Sequence, residues 1–195
     1  MAVKVLGISS SPRKNGNSDL LLREAIRGAQ EAGAETEYFR VRELSISGCA
    51  SCGYCEKHGL CSQKDDFPPL MDKMLGADLL IFAMPIYFMG VCAWGKIVID
   101  RCQCLWSRKY KLKQNVRDPQ RPWCGMTIAV GGTKSLKMFD SIRLTIKYFH
   151  DVLEINKNAE VFVNQVDELG AIKNRPTALA EAFSKAKEFT LILKK

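Results

Sequence analysis

The sequence is poor in histidine: His58 and His150 are the only two in 195 residues, and no G-x-S-x-G elbow accompanies them, which argues against a serine hydrolase. It also lacks the G-x-x-x-x-G-K-[ST] loop of nucleoside triphosphatases and the G-x-G-x-x-G turn of dinucleotide-binding units. Eight cysteines are too few for a disulfide scaffold, and the apolar start is broken at Lys4 and Ser9, so no secretory signal is expected. The thiols are expected free or as ligands in a reducing compartment, the cytoplasm. The charge-free stretch Leu79–Gly95 reaches only 17 residues and contains Pro85, Gly90 and Gly95, so it reads as a buried strand, a loop and a helix start rather than a membrane span. With no internal repeat and no low-complexity linker, a single domain is expected over 1–195.

What is present is ordinary globular composition, 47% hydrophobic and 26% charged, in a chain long enough to bury roughly 70% of its unfolded surface. The net charge of +8 is unevenly placed. Arg108, Lys109, Lys111, Lys113, Arg117 and Arg121 against Asp118 alone give the stretch 108–121 five of those charges. A basic insertion over about 107–122 is the reading, since it lacks the apolar periodicity of a core element.

Val3–Ile8 is a β-branched run without surface alternation, followed by serines, Pro12, Gly16 and Asn17, and then by apolar positions at Leu21, Ala25, Ile26 and Ala29. Strand, loop and helix follow in that order. The alternation continues through strands at Thr36–Val41, Leu79–Met84, Met126–Val130 and Ala159–Val163. Helices are expected around Phe67–Leu75, Val91–Trp106, Ser135–Val152 and after Pro176. Five strands alternating with five helices predict an α/β fold, a doubly wound five-stranded parallel sheet with helices on both faces and its ligand site at the carboxyl ends of the strands.

The first loop, Gly7–Ser18, places hydroxyls, amides and two cations at the start of a helix, where free amides and the helix dipole favour an anion. Ser9, Ser11, Arg13, Asn17 and Ser18 could converge on a phosphate; helix capping alone is the plainer alternative. Farther on, Cys49, Cys52, Cys55 and Cys61 form a compact run spaced by two, two and five residues, with Gly53 and Gly59 to help it wrap. Such spacing is closer to the tight iron–sulfur run of ferredoxins than to paired zinc knuckles, with free thiols, zinc and a dithiol switch as alternatives. Cys92, Cys102, Cys104 and Cys124 lie in apolar context and are expected to pack as small hydrophobes. His58 reads as a solvated loop residue or a donor to sulfur, and His150 as a partly charged group at a helix end.

From Ser11 to Ser18 the chain reads Ser-Pro-Arg-Lys-Asn-Gly-Asn-Ser, and in this it resembles the flavodoxin-like NADPH-dependent FMN reductase family. Asp65-Asp66, Ala77-Asp78, Pro85-Ile86-Tyr87-Phe88 and Ile99-Asp100-Arg101 agree in order, so that the resemblance covers most of 3–163. It implies a flavodoxin-like domain with FMN bound noncovalently. The phosphate would lie on the first loop, where Pro12 and Lys14 join the residues above, and the ring would be held by Pro85, Ile86, Tyr87, Phe88, Met89 and Gly90 and by Gly131 and Gly132. Without the resemblance, Tyr87 and Phe88 would read equally well as core. Within this family the cysteine run resembles that of iron–sulfur flavoproteins, which implies a [4Fe-4S] cluster close to FMN.

Three classes of function follow. The first is an FMN-dependent oxidoreductase whose cluster exchanges single electrons with a partner protein. The second is a cluster-free reductase passing electrons from NAD(P)H to a small-molecule acceptor such as FMN or a quinone. The third, a nucleic-acid-binding module, would rest on segment 108–121 alone. That segment could instead steer an acidic ferredoxin-like donor. The resemblance also implies a homodimer or homotetramer.

Overall fold

The computed structural model describes residues 2–194. Its strands are β1 (Lys4–Ser9), β2 (Glu35–Arg40), β3 (Leu79–Tyr87), β4 (Gly90–Val91), β5 (Cys124–Val130) and β6 (Lys157–Val163). Five of them form a parallel sheet in the order β2-β1-β3-β5-β6. The order reverses between β1 and β3, so a crevice opens at their carboxyl ends. The expected doubly wound fold is present, with one addition: β3 runs on through Pro85 to Tyr87 and turns back as the antiparallel β4.

β1 and β5 are almost continuously buried, as strands covered on both faces must be. Along β3 the side chains alternate between two cores: Leu79, Ile81 and Ala83 enter one, Leu80, Phe82 and Met84 the other. The first core lies under α1 (Asn17–Glu31) and α7 (Pro176–Leu193). These two helices pack so closely that a Cβ on Gly28 would fall 2.1 Å from the Phe183 carbonyl oxygen. The second core lies under α3 (Phe67–Gly76), α4 (Ala93–Arg101), α5 (Gln103–Trp106) and α6 (Met138–Val152). The cysteine loop carries one short helix of its own, α2 (Tyr54–His58).

The sequence predicts one helix over Val91–Trp106, but the backbone tightens at Cys102, whose amide bonds the Ile99 carbonyl, and so divides α4 from α5. It then widens at 107–112, where the Leu112 amide reaches back to Ser107. The register change lets Arg101, Cys102, Cys104 and Leu105 all face inward. The helix expected from Ser135 begins at Met138, because Ser135 donates its amide to the Thr133 hydroxyl in a preceding turn.

The basic segment is more structural than its composition suggests. Val116 and Trp123 are buried, and Arg117 lies over the Trp123 ring at 3.7 Å while donating to the Met74 and Ala77 carbonyls. Lys109 pairs with Asp151 at 3.0 Å, Lys111 with Glu56 at 2.7 Å, and Arg121 with Asp78. Arg108 donates to the Gly59 carbonyl at 3.3 Å. Most of this positive charge is paired or bonded within the molecule, although Lys111 and Arg121 keep much of their side chains in solvent. His150 also departs from expectation. It is 5% exposed, and burial together with the charge on Arg117 pushes it down to about 4, so it is neutral rather than partly charged.

Candidate functional site

At the carboxyl ends of β1, β3 and β5, one cleft is lined by Ser11, Arg13, Gly16, Asn17 and Ser18, by Pro85, Ile86 and Tyr87, and by Gly131 and Gly132. Three segments far apart in sequence, singled out as phosphate and ring contacts, therefore meet in space. A fourth wall, Val166, Asp167 and Leu169, escaped the sequence reading. The signal that could have found it is positional: the chain leaving the last parallel strand must start on the ligand-binding edge.

The first loop is held by its neighbours. Ser10 takes its place beside β3, its amide and hydroxyl both donating to the Ala83 carbonyl, at 2.9 and 3.0 Å. Ser11 Oγ bonds the Arg13 carbonyl, Arg42 donates to the Pro12 carbonyl, and Arg13 donates to the Asp167 carbonyl at 3.2 Å. Asn17 joins the fourth wall twice, donating to the Glu168 carbonyl at 2.8 Å and accepting from the Ile172 amide at 3.2 Å. These bonds draw the walls together and leave a narrow cleft of about 60 Å³.

Helix capping does not explain the loop. The N-cap of α1 is Gly16, no side chain caps it, and Asn17 points its amide at the fourth wall instead. The opening turn of α1 thus keeps backbone donors for an anion. Ser9 Oγ, fully buried at the end of β1, has no partner among the described residues. A Cβ on Gly16 would lie 2.6 Å from Ser11 Oγ and one on Gly131 2.5 Å from Met138 Sδ, so a side chain at either position would have to displace its neighbour. This donor set fits a phosphate monoester, and the bare backbone at 131–132 fits a flat ring.

Not every expected residue lines the cleft. Ser9 is fully buried behind the lining, Lys14 is exposed, Pro12 contributes its carbonyl to Arg42, and Phe88, Met89 and Gly90 lie beyond the lining in the β3–β4 turn. Phe88 and Met89 have φ of 48° and 61°, a left-handed pair that two-residue hairpins usually build from Asn and Gly. Phe88 stands fully in solvent, while the Met89 carbonyl accepts from Ser141. Backbone strain held in this way clusters at functional sites.

The four loop cysteines line a second cavity, of about 580 Å³, between the loop and α4–α6. Cys49 and Cys52 are exposed; Cys55 and Cys61 are half-buried against the core. Gly53 and Gly59, at φ of 72° and 65°, bracket α2 and turn the chain back on itself. Ser62 and the Tyr54 amide bond the Cys52 sulfur and hold its thiol below the usual range, and Ser107 Oγ lies 3.4 Å from Cys55 Sγ. Among the described residues no three ligating side chains are gathered around one point, but four thiols on one cavity wall are a donor set suited to iron. His58 stacks on Tyr54 at 4.1 Å. Cys92, Cys102, Cys104 and Cys124 are buried as expected, and burial pushes their thiols up, Cys104 to about 11. Cys102 and Cys104 also line the cysteine cavity, a placement their helical context does not reveal.

Residues 3–164 match the model of the NADPH-dependent FMN reductases. The chain belongs to this family. Among its relatives, an iron-sulfur flavoprotein of Methanocaldococcus jannaschii is 33% identical over 158 residues, 80% of this chain and 77% of that protein. One from Archaeoglobus fulgidus is 40% identical over 130 residues, 67% of this chain and 63% of its own length. Of solved structures, the NAD(P)H:quinone oxidoreductase of Methanothermobacter marburgensis superposes with a TM-score of 0.70 at 14% identity, covering 96% of this chain and 97% of that one. This family member is an FMN-dependent oxidoreductase. No helix among the described residues is long and apolar enough to cross a membrane.

Proposed function

We propose that the chain is an iron–sulfur flavoprotein that takes electrons from NAD(P)H and passes them between FMN and a [4Fe-4S] cluster held by Cys49, Cys52, Cys55 and Cys61. The observation that carries the reading is that all four cysteines line one cavity, although two are exposed and two half-buried. When bound, FMN supplies two-electron redox chemistry and a cluster supplies single-electron transfer.

The chain's own residues bind and orient. The amides opening α1, with Ser9, Ser11 and Ser18, would hold the phosphate, Asn17 would keep the loop against the far wall, and Arg13 would add charge. Pro85, Ile86 and Tyr87 would border the ring, and Gly131 and Gly132 would let the backbone approach it. Eight unpaired cysteines suit a reducing cytoplasm, and a homodimer or homotetramer accords with the family resemblance.

The test is an ultraviolet–visible spectrum of anaerobically purified protein with iron and acid-labile sulfide assays on the same sample. Flavin bands with about four irons per chain are expected. Flavin without iron, persisting after anaerobic reconstitution, would replace this reading with a cluster-free NAD(P)H-dependent FMN or quinone reductase.

A further inference from the structure

Asp65 and Arg101 stand 36 positions apart, and in the fold they meet. Arg101 Nη1 donates to Asp65 Oδ2 at 2.6 Å and Nη2 to Oδ1 at 2.9 Å, a two-pronged pair that fixes both planes. The same carboxylate accepts the Ser47 amide at 3.0 Å and the Phe67 amide at 3.1 Å, while Arg101 Nη1 also donates to the Ser47 carbonyl at 2.8 Å. One ring of bonds therefore joins the residue just before the cysteine loop to the residues just after it. Ser45 and Asp66 add a second rung, the Ser45 amide donating to Asp66 Oδ2 at 2.7 Å and the Asp66 amide to the Ser45 carbonyl at 3.1 Å.

Arg101 has a second feature. It is 1% exposed, its Nε–H has no partner among the described residues, and it belongs to the wall of the cysteine cavity. The lining includes two carboxylates, Glu56 and Asp100, and no other cation. Cys61 lies beside the guanidinium, and the Phe67 ring lies 4.6 Å from it on a face. A buried cation with a free donor is costly unless an anion or acceptor accompanies it, and Asp65 leaves Nε unused.

We infer that the Asp65–Arg101 pair is the clasp that closes the cysteine loop and that Arg101 is the cation which balances the anionic sulfurs gathered there. The inference rests on the proposed ligand role of the four cysteines and assigns a positioning and charge-tuning role to residues outside that set. Thiolate ligands make a cluster anionic, and its reduction adds a further negative charge. A fixed cation beside it favours the reduced form and raises the potential.

The test uses full-length, FMN-loaded Arg101→Met, Arg101→Lys and Asp65→Asn. In samples without iron, amide hydrogen exchange across 45–67 is expected to speed up at least tenfold in Arg101→Met and Asp65→Asn, and less in Arg101→Lys, with β1 and β3 unchanged. After anaerobic reconstitution, the cluster potential should move negative in Arg101→Met and positive in Asp65→Asn, which removes the anion and leaves the cation. Unchanged exchange in 45–67 in folded Arg101→Met or Asp65→Asn overturns the clasp. Potentials that move in the same direction in both variants overturn the charge role. Should the parent protein take up no iron, the ligand reading and the charge role fall together, and the exchange arm still decides the clasp. Arg101→Lys keeps the experiment readable if loss of the cation unfolds the chain.

Discussion

The first loop and the cysteine loop are secured in different ways. The first is tied along its whole length, to β3 through Ser10, to Arg42 through Pro12, and to the 166–172 wall through Arg13 and Asn17. The cysteine loop is zipped at its two ends by Asp65, Asp66 and Arg101, and between them presents its thiols on a cavity wall with few bonds of their own. On the proposed reading, a phosphate of fixed geometry would meet a preformed backbone, whereas four separate sulfur ligands would need a loop that can still adjust once its ends are held. Rigidity would then be placed where the ligand's shape is simple, and latitude where several bonds must be satisfied together.

The largest effect that can test this contrast is replacement of Cys49, Cys52, Cys55 and Cys61 together by serine. Iron should be lost completely while FMN content stays at the parent value; parallel assays of flavin and iron decide, and loss of FMN as well would show that the loops are not independent. Next comes a control common to both. His150 sits at about 4 in the fold against about 6.5 free, so its contribution is whole above pH 6.5 and is lost as pH falls toward 4. His150→Leu should flatten that part of the stability curve by on the order of 3 kcal/mol, measured by urea unfolding across pH 4–7. An unaltered slope would place the titration elsewhere.

A smaller effect is expected at the first loop. Asn17→Ala, which severs both bonds to the far wall, should weaken FMN binding about tenfold, or about 1.4 kcal/mol, without changing iron content. Fluorescence titration of the flavin measures it, and equal loss of iron would erase the contrast. Smallest of all is Lys111→Ala. Its ion pair with Glu56 is open to solvent at both ends, so stability should fall by less than about 1 kcal/mol, with cysteine chemistry unchanged.

Much of the fold was legible because parallel strands covered on both faces write themselves as short apolar runs. Leu79–Met84 and Met126–Val130 are examples, and the intervening loops announce themselves with Gly, Pro and Ser. The first loop was legible for the same reason, since its residues are local. What the sequence hid are features set by distant contacts. The break at Cys102 follows from Arg101 turning inward to meet Asp65. The neutrality of His150 follows from burial near Arg117, and the engagement of the basic segment follows from acids at 56, 78 and 151. The β3–β4 hairpin was concealed by its turn, where Phe88 and Met89 occupy a conformation that their residue types do not advertise.

The match to the reductase family ends at residue 164, yet the wall that narrows the cleft begins at Val166, and α7 beyond it braces α1 through the contact of Gly28 with Phe183. The molecule thus divides its labour by sequence. The part held in common supplies the floor and the cradle, while the tail supplies the door frame, so exchange of residues 165–194 between relatives should re-cut the mouth of the cleft and, through Asn17 and the α1–α7 contact, shift the loop beside it.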